Sequence, residues 1–193
     1  MALTQEQIFL VFKETEALLE GHFVLTSGLH SDRYFQCARV LQYPWHAEAL
    51  CRDLADRVRG AGASAVVSPA VGGILVGQEV ARALRVRSVF TERVDNKMTL
   101  RRGFALKPWE KAIVAEDVTT TGGSVKEVME AVRGSGAETV AVVAIVDRSG
   151  GKAVFGVPYQ ALLKMDAATH APEACPMCKA GSTAVKPGSR GLT

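Results

Sequence analysis

The chain predicts an α/β fold: a mostly parallel sheet flanked by helices, with a small N-terminal hood. Three observations predict it. The runs Ala65-Val66-Val67, Ala112-Ile113-Val114-Ala115 and Thr139 to Val146 are almost wholly apolar, as strands buried on both faces must be. Residues 45–59, 74–84 and 125–132 carry apolar side chains at helical spacing. The two kinds of segment alternate, which is the pattern of parallel strands joined by crossover helices. With 193 residues and no internal repeat, one domain is expected over 1–193: a hood of about 1–40 with the C-terminal tail, and a core of about 41–165.

Bulk composition excludes little. Apolar residues make up 48% and charged residues 22%, ordinary values for a globular chain. A net charge of +3 is too small to argue for nucleic acid, but it suits an anionic ligand. No apolar run reaches the ~20 residues that a membrane span needs. The first twenty residues are acidic and lack a basic leader, so no signal peptide is expected and the cytoplasm is the expected compartment.

In chain order, Thr4-Gln5-Glu6-Gln7 reads as a capping box. The helix it opens has Ile8, Phe9, Val11, Phe12, Leu18 and Leu19 on its apolar face and Gly21 as its stop. Phe23–Leu25 and Arg33–Cys37 predict two short strands around the polar turn Ser27–Asp32. They form either a surface hairpin or, through Tyr34 and Phe35, a flat aromatic wall for a base. Pro44 starts a helix over 45–59 whose buried face is Trp45, Ala49, Leu50, Leu54, Ala55 and Val58. After the strand 65–67, Ser68 to Gly73 places Val71, Gly72 and Gly73 at the start of a helix over Ile74–Leu84. Alone, that turn is a weak phosphate signal.

Ser88–Thr91 is a third strand. The polar stretch Glu92–Phe104 follows, with Arg93, Lys97, Arg101 and Arg102. It is either a solvated β-ribbon or a loop that closes a cationic lid over an anion.

The organising stretch is Lys111 to Lys126. An apolar strand leads to two acids, Glu116 and Asp117, then to Val118 and the turn Thr119-Thr120-Thr121-Gly122-Gly123, and Ser124 is positioned to cap the next helix. Glycines let backbone N–H groups converge on one point, and a helix N-terminus adds partial positive charge there. The turn therefore suits a phosphate. The acids suit sugar hydroxyls, a hydrated Mg2+ or positive charge developing on a sugar carbon. A phosphate held near a sugar diol describes a ribose 5-phosphate site, at the strand end where open α/β sheets bind ligands.

Gly134 to Gly136 break the following helix, and 139–146 is the most apolar strand, expected at the centre of the sheet. Arg148 follows it, either as a fork for a ligand carboxylate or as the ion-pair partner of Asp147. Tyr159–Met165 is a last strand, and 166–193 an irregular tail packing on the hood. Four cysteines stand at 37, 51, 175 and 178. Cys175-Pro-Met-Cys178 is a lone CxxC. Zinc needs about four ligands and only His170 is near in sequence, so a zinc site, a redox pair and a plain turn all stay open.

The stretch from Ala112 to Ser124 resembles the phosphoribosyl-diphosphate (PRPP) signature of type I phosphoribosyltransferases. The hood pattern F-x-L-x-S-G-x-x-S-x-x-Y-F, the M-T-L-R-R-G-F segment at 98–104 and the V-D-R segment at 146–148 resemble orotate phosphoribosyltransferases in particular. That resemblance implies transfer of a phosphoribosyl group from PRPP to orotate, with Mg2+ carried by PRPP and water and no metal directly liganded by the protein. It implies Glu116, Asp117, Lys97 and Arg93 as catalytic residues. PRPP would be held by residues 116–124, by Val71, Gly72 and Gly73, and by Arg93, Lys97, Arg101 and Arg102. Orotate would meet Thr120, Arg148, Tyr34 and Phe35. A homodimer sharing the basic loop 93–103 across subunits is implied, with no nucleic-acid or membrane partner. The chain has Thr26 and Gly72 where some members carry lysine, and it lacks their loop histidine. A purine or xanthine phosphoribosyltransferase, or a non-catalytic PRPP-sensing regulator, would share the signature; the first should lack the hood and need not carry Arg148, and the second usually adds a nucleic-acid-binding part.

Overall fold

The structure is a computed structural model that describes residues 3–25, 27–165 and 168–187. Thr26, and residues 166, 167 and 188–193 of the expected tail, lie outside the described residues. Among the described residues no helix is long and apolar enough to cross a membrane.

Helix α1 (Gln5–Glu14) opens with the expected capping box: the Thr4 hydroxyl accepts from Gln7 N–H, and the Gln7 side chain accepts from Thr4 N–H. It ends seven residues before Gly21. Ala17 N–H donates to Phe12 O at 2.8 Å and Glu16 N–H to Lys13 O at 3.0 Å, with Glu16 at φ 50. This is a Schellman closure with glutamate in the left-handed position that glycine usually takes. Leu18 and Leu19 therefore start strand β1 (Leu18–Val24) instead of extending the helix, and Gly21 lies inside that strand.

Strand β1 pairs antiparallel with β2 (His30–Phe35), with a bulge between Glu20 and Phe23. Cys37–Leu41 then form α2, a short helix that the sequence reading did not contain. In α3 (Pro44–Val58) proline sits in the first turn as expected. Its buried face is Ala47, Leu50, Cys51, Leu54, Ala55 and Val58. Trp45 is not on that face: it is 63% exposed and packs on Tyr43 and His46, because the first helical turn overhangs the core. Ala49 is exposed as well.

The main sheet runs β5-β4-β3-β6-β7-β8, built from β3 (Ala65–Pro69), β4 (Arg87–Val94), β5 (Lys97–Leu100), β6 (Lys111–Thr119), β7 (Glu138–Asp147) and β8 (Tyr159–Lys164). All pairs are parallel except β4–β5. Helices α4 (Gly73–Leu84) and α5 (Gly123–Gly134) make the crossovers after β3 and β6. The two faces divide by parity. Val66, Ile113, Ala115, Val143 and Ile145 pack toward α1, α3 and α4, whereas Ala65, Val67, Ala112, Val114 and Val142 pack toward α5. Both faces being covered is why these strands read as unbroken apolar runs.

From β3 the chain steps outward to β4 on one side, and β6, β7 and β8 lie on the other. The carboxyl ends of β3 and β6 thus flank the point where strand order reverses, the crevice that open α/β sheets use for ligands. The tail returns to the hood: β9 (Thr169–His170) pairs with β2, helix α6 (Pro176–Lys179) follows, and Val185 bridges to Phe23.

Candidate active site

The crevice is made by two loops and their strand ends. At the end of β6, Glu116 is buried and Asp117 half-buried. Asp117 N–H donates to Glu116 Oε1 at 3.0 Å, and Val118 N–H donates to Asp117 Oδ1 at 2.8 Å, so backbone amides fix both carboxylates. Burial, and then the charge of Asp117, push the Glu116 carboxyl well above the usual range.

The loop after β3 lies directly over these acids, with a cis peptide between Ala70 and Val71. A Cβ on Gly72 would stand 2.5 Å from Asp117 Oδ2, and one on Gly73 would stand 3.2 Å from Glu116 Oε1. The absence of side chains at 72 and 73 is what lets the turn close on the acid pair. Gly72 is helical (φ −60), so the requirement is one of space and not of backbone freedom.

The turn Thr119–Ser124 departs from expectation at one atom. The cap of α5 is Gly122, in the left-handed region (φ 79), and Ser124 lies in the first helical turn with its hydroxyl exposed. A Cβ at 122 would stand 2.8 Å from the Phe155 ring, and the left-handed φ disfavours one as well, so glycine suits this cap. Thr120, Thr121, Gly123 and Ser124 are exposed, whereas the Thr119 hydroxyl is buried without a hydrogen-bond partner among the described residues.

At the end of β7, Arg148 does not pair with Asp147. The buried Asp147 Oδ1 accepts from Ser149 N–H at 2.8 Å, and Arg148 N–H donates to Thr119 O at 2.8 Å. These two bonds turn the Arg148 side chain onto Phe35, with its guanidinium 5.8 Å from the ring centroid. The Arg148 Nε is buried and makes no hydrogen bond to the described residues. Burial works against its charged form and Tyr34 supports it. Phe35 is a core residue packed edge-on to Phe12, and Tyr34 is half-exposed beside Phe23.

Cys37 had no role in the sequence reading. Its buried thiol points at Asp117 O, 3.9 Å away. Burial, and then the charges of Asp117 and Glu116, push its pKa well up, which keeps the thiol neutral beside the acids. Only the topology, which brings the start of α2 under the end of β6, could have shown this.

The stretch 92–104 is a β-ribbon over 92–100, a form that either reading of it allows. Glu92–Val94 extend β4, and Asp95 and Asn96 (φ 46 and 61) make a two-residue hairpin turn into β5. Arg93 forms an ion pair with Glu127 of α5 at 2.9 Å, and Arg102 pairs with Glu92 at 2.9 Å and lies over Phe90. Lys97 and Arg101 are exposed on the ribbon.

Comparison with known proteins agrees with this geometry. Residues 45–155 match the model of the phosphoribosyl transferase domain. The chain is 56% identical over 188 residues to an orotate phosphoribosyltransferase of Pelotomaculum thermopropionicum, covering 97% of this chain and 99% of that one. It is 55% identical over 191 residues to one of Desulforamulus reducens, covering 99% and 100%. Among solved structures, orotate phosphoribosyltransferase from Aeropyrum pernix superposes with a TM-score of 0.66 at 27% identity, over 80% of this chain and 92% of that one.

Proposed function

The chain belongs to the orotate phosphoribosyltransferases, and on that premise we propose how its residues share the work. It transfers the 5-phosphoribosyl group of PRPP to orotate, giving orotidine 5′-phosphate and diphosphate in pyrimidine biosynthesis. The C1–O bond to diphosphate breaks as an orotate nitrogen bonds to C1, so positive charge develops on the sugar while negative charge leaves with diphosphate.

The exposed hydroxyls and amides of 120–124 at the start of α5 hold the 5-phosphate, with Val118 and Thr119 as the floor of that turn. Glu116 and Asp117 hold the ribose hydroxyls next to the developing charge. The amides of Val71, Gly72 and Gly73 hold the diphosphate. Lys97 and Arg93 stabilise the leaving group with Arg101 and Arg102. Arg93 and Arg102 must first exchange Glu127 and Glu92 for phosphate oxygens, which sets a closing motion of the ribbon. Catalysis is then positioning and electrostatics, with no covalent enzyme intermediate.

The half-buried Asp117 carboxylate, whose Oδ2 fills the space above Gly72, is a hard oxygen donor suited to a hydrated Mg2+ carried on PRPP. Held there through its water shell, Mg2+ would neutralise charge on the diphosphate.

The base is assigned by Arg148. Its guanidinium is laid on Phe35 with a buried donor unspent, which fits a planar carboxylate better than a purine edge. Tyr34 and Thr120 complete the orotate contacts. The working unit is a cytoplasmic homodimer with ribbon 93–103 reaching the partner's site, each chain one domain with a hood of about 1–40 plus the tail and a core of about 41–165.

The test is loss of orotate absorbance on mixing protein, PRPP and Mg2+, with hypoxanthine, guanine, xanthine and uracil in parallel. Turnover of orotate alone is expected. Turnover of a purine would remove the Arg148 assignment, and PRPP binding without turnover would make the chain a sensor.

A further inference from the structure

Four side chains that the proposed reaction does not use converge between the hood and the tail. His22 comes from β1, His30 from the start of β2, and Cys175 and Cys178 from α6 and its cap. One ligand atom of each lies within 4.8 Å of all the others. His22 Nε2 is 2.8 Å from His30 Nδ1, 3.5 Å from Cys175 Sγ and 3.7 Å from Cys178 Sγ, and Cys178 Sγ is 3.3 Å from His30 Nδ1.

We propose that these four residues form a tetrahedral zinc site that clips the C-terminal segment onto the hood. A zinc ion with Zn–S near 2.3 Å and Zn–N near 2.0–2.1 Å sets its donors roughly 3.3–3.8 Å apart. Three of the four sulfur–nitrogen distances fall in that range, the fourth lies within 4.8 Å, and the two imidazoles need to part by about half an ångström.

The surroundings are those of a ligand set. His22 and His30 are 7% and 8% exposed and Cys175 is fully buried. On its far side His22 Nδ1 faces Ser182 O at 3.1 Å. A proton on Nδ1 donated to that carbonyl turns the Nε2 lone pair into the cluster, the outer contact that metal-bound histidines use. Lys179 N–H bonds Cys175 O at 3.1 Å, so one helical turn presents both sulfurs on the same side. Two thiolates and two neutral imidazoles exactly balance a divalent cation, and an S2N2 set selects zinc over the oxygen-seeking Mg2+. A disulfide between Cys175 and Cys178 would leave the two imidazoles aimed at each other with no ion to share.

The site explains how a segment with little regular structure is held. β9, α6 and the Val185 bridge lie along the hood around it. The clip sits on the strand that ends in Tyr34 and Phe35, and it does not depend on which base the enzyme uses.

The experiment is metal analysis of the full chain purified without chelator or metal-affinity resin. About one zinc per chain is expected, falling at least tenfold in Cys178→Ser and in His30→Ala. Metal-free, reduced wild-type protein titrated with Co2+ should show thiolate charge-transfer bands and the intense visible bands of a tetrahedral site, and X-ray absorption should count two sulfur and two nitrogen neighbours. The cobalt and absorption measurements use wild-type protein, so they decide the matter even if the variants fail to fold. Zinc-free protein after zinc-replete expression together with no thiolate bands on Co2+ addition would overturn the proposal. So would a Cys175–Cys178 disulfide in protein alkylated at lysis.

Discussion

Replacing Arg148 with alanine should raise the KM for orotate by about 10- to 100-fold and leave PRPP affinity within about twofold. The magnitude follows from what the side chain does with and without ligand. Its Nε is buried with no hydrogen-bond partner among the described residues, and its guanidinium rests on Phe35 at 5.8 Å, so the fork is held in place before any base arrives. A hydrogen bond to a charged group contributes roughly 1.5–3 kcal/mol, and each 1.4 kcal/mol is about tenfold in affinity. Stability should change by less than about 1 kcal/mol, because the backbone bond from Arg148 N–H to Thr119 O survives and only a stacked cation is lost. Arg148→Lys should recover little, since a point charge restores neither the fork nor the stacking. The assay is initial-rate orotate consumption at saturating PRPP, with calorimetry of PRPP binding. An equal loss of PRPP affinity, or full activity with lysine, would refute the carboxylate assignment.

Asp117→Asn should cut turnover by at least about 100-fold with a melting temperature within a few degrees of wild type, measured by rate assay and thermal unfolding; equal loss of both would make Asp117 a structural residue. Glu116→Gln should stabilise the protein at neutral pH while slowing it. The folded state raises the Glu116 pKa through burial and Asp117, so folded protein holds a proton that unfolded protein releases, and stability falls as pH rises from the ordinary glutamate value toward the raised one. The advantage of glutamine in urea midpoint should therefore grow as pH rises above the ordinary glutamate range, and a shrinking advantage would contradict a charge buried at a cost. Gly72→Ala should lower kcat by about 100-fold through displacement of Asp117, and it should cost little further activity when added to Asp117→Asn; additive losses in that double-mutant cycle would show that the alanine acts elsewhere.

Much of this site was legible because its signal is local. The apolar run, acids, hydroxyls and glycines of 111–124 stand next to one another in the chain as they do in space. The buried strands 65–67, 112–115 and 139–146 could be read because both sheet faces are covered. The misreadings arose where spacing does not report backbone conformation or distant packing. Gly122, not Ser124, caps α5, in a left-handed conformation with the Phe155 ring where its Cβ would stand. Helix α1 stops at Glu14 because Glu16 takes the left-handed position expected of a glycine. His22 and His30 could not be joined to Cys175 and Cys178 from spacing, and the histidine nearest in sequence, His170, is not in the cluster.

The tail's return to the hood has a consequence for how the protein is made. His30 pairs with His170, and Phe23 with Val185, so the hood sheet cannot be completed until the chain has left the ribosome through residue 185. Gln5 likewise waits for Leu162, to whose carbonyl its side chain donates. The hood residues spend translation without these later partners, exposing Phe23 and an unpaired β2 edge while the parallel core assembles. Such long-range closure is slow. A ribosome-stalled chain ending before residue 169 should therefore have a protease-resistant core and a hood that is still cleaved, and release of the last segment should end that sensitivity.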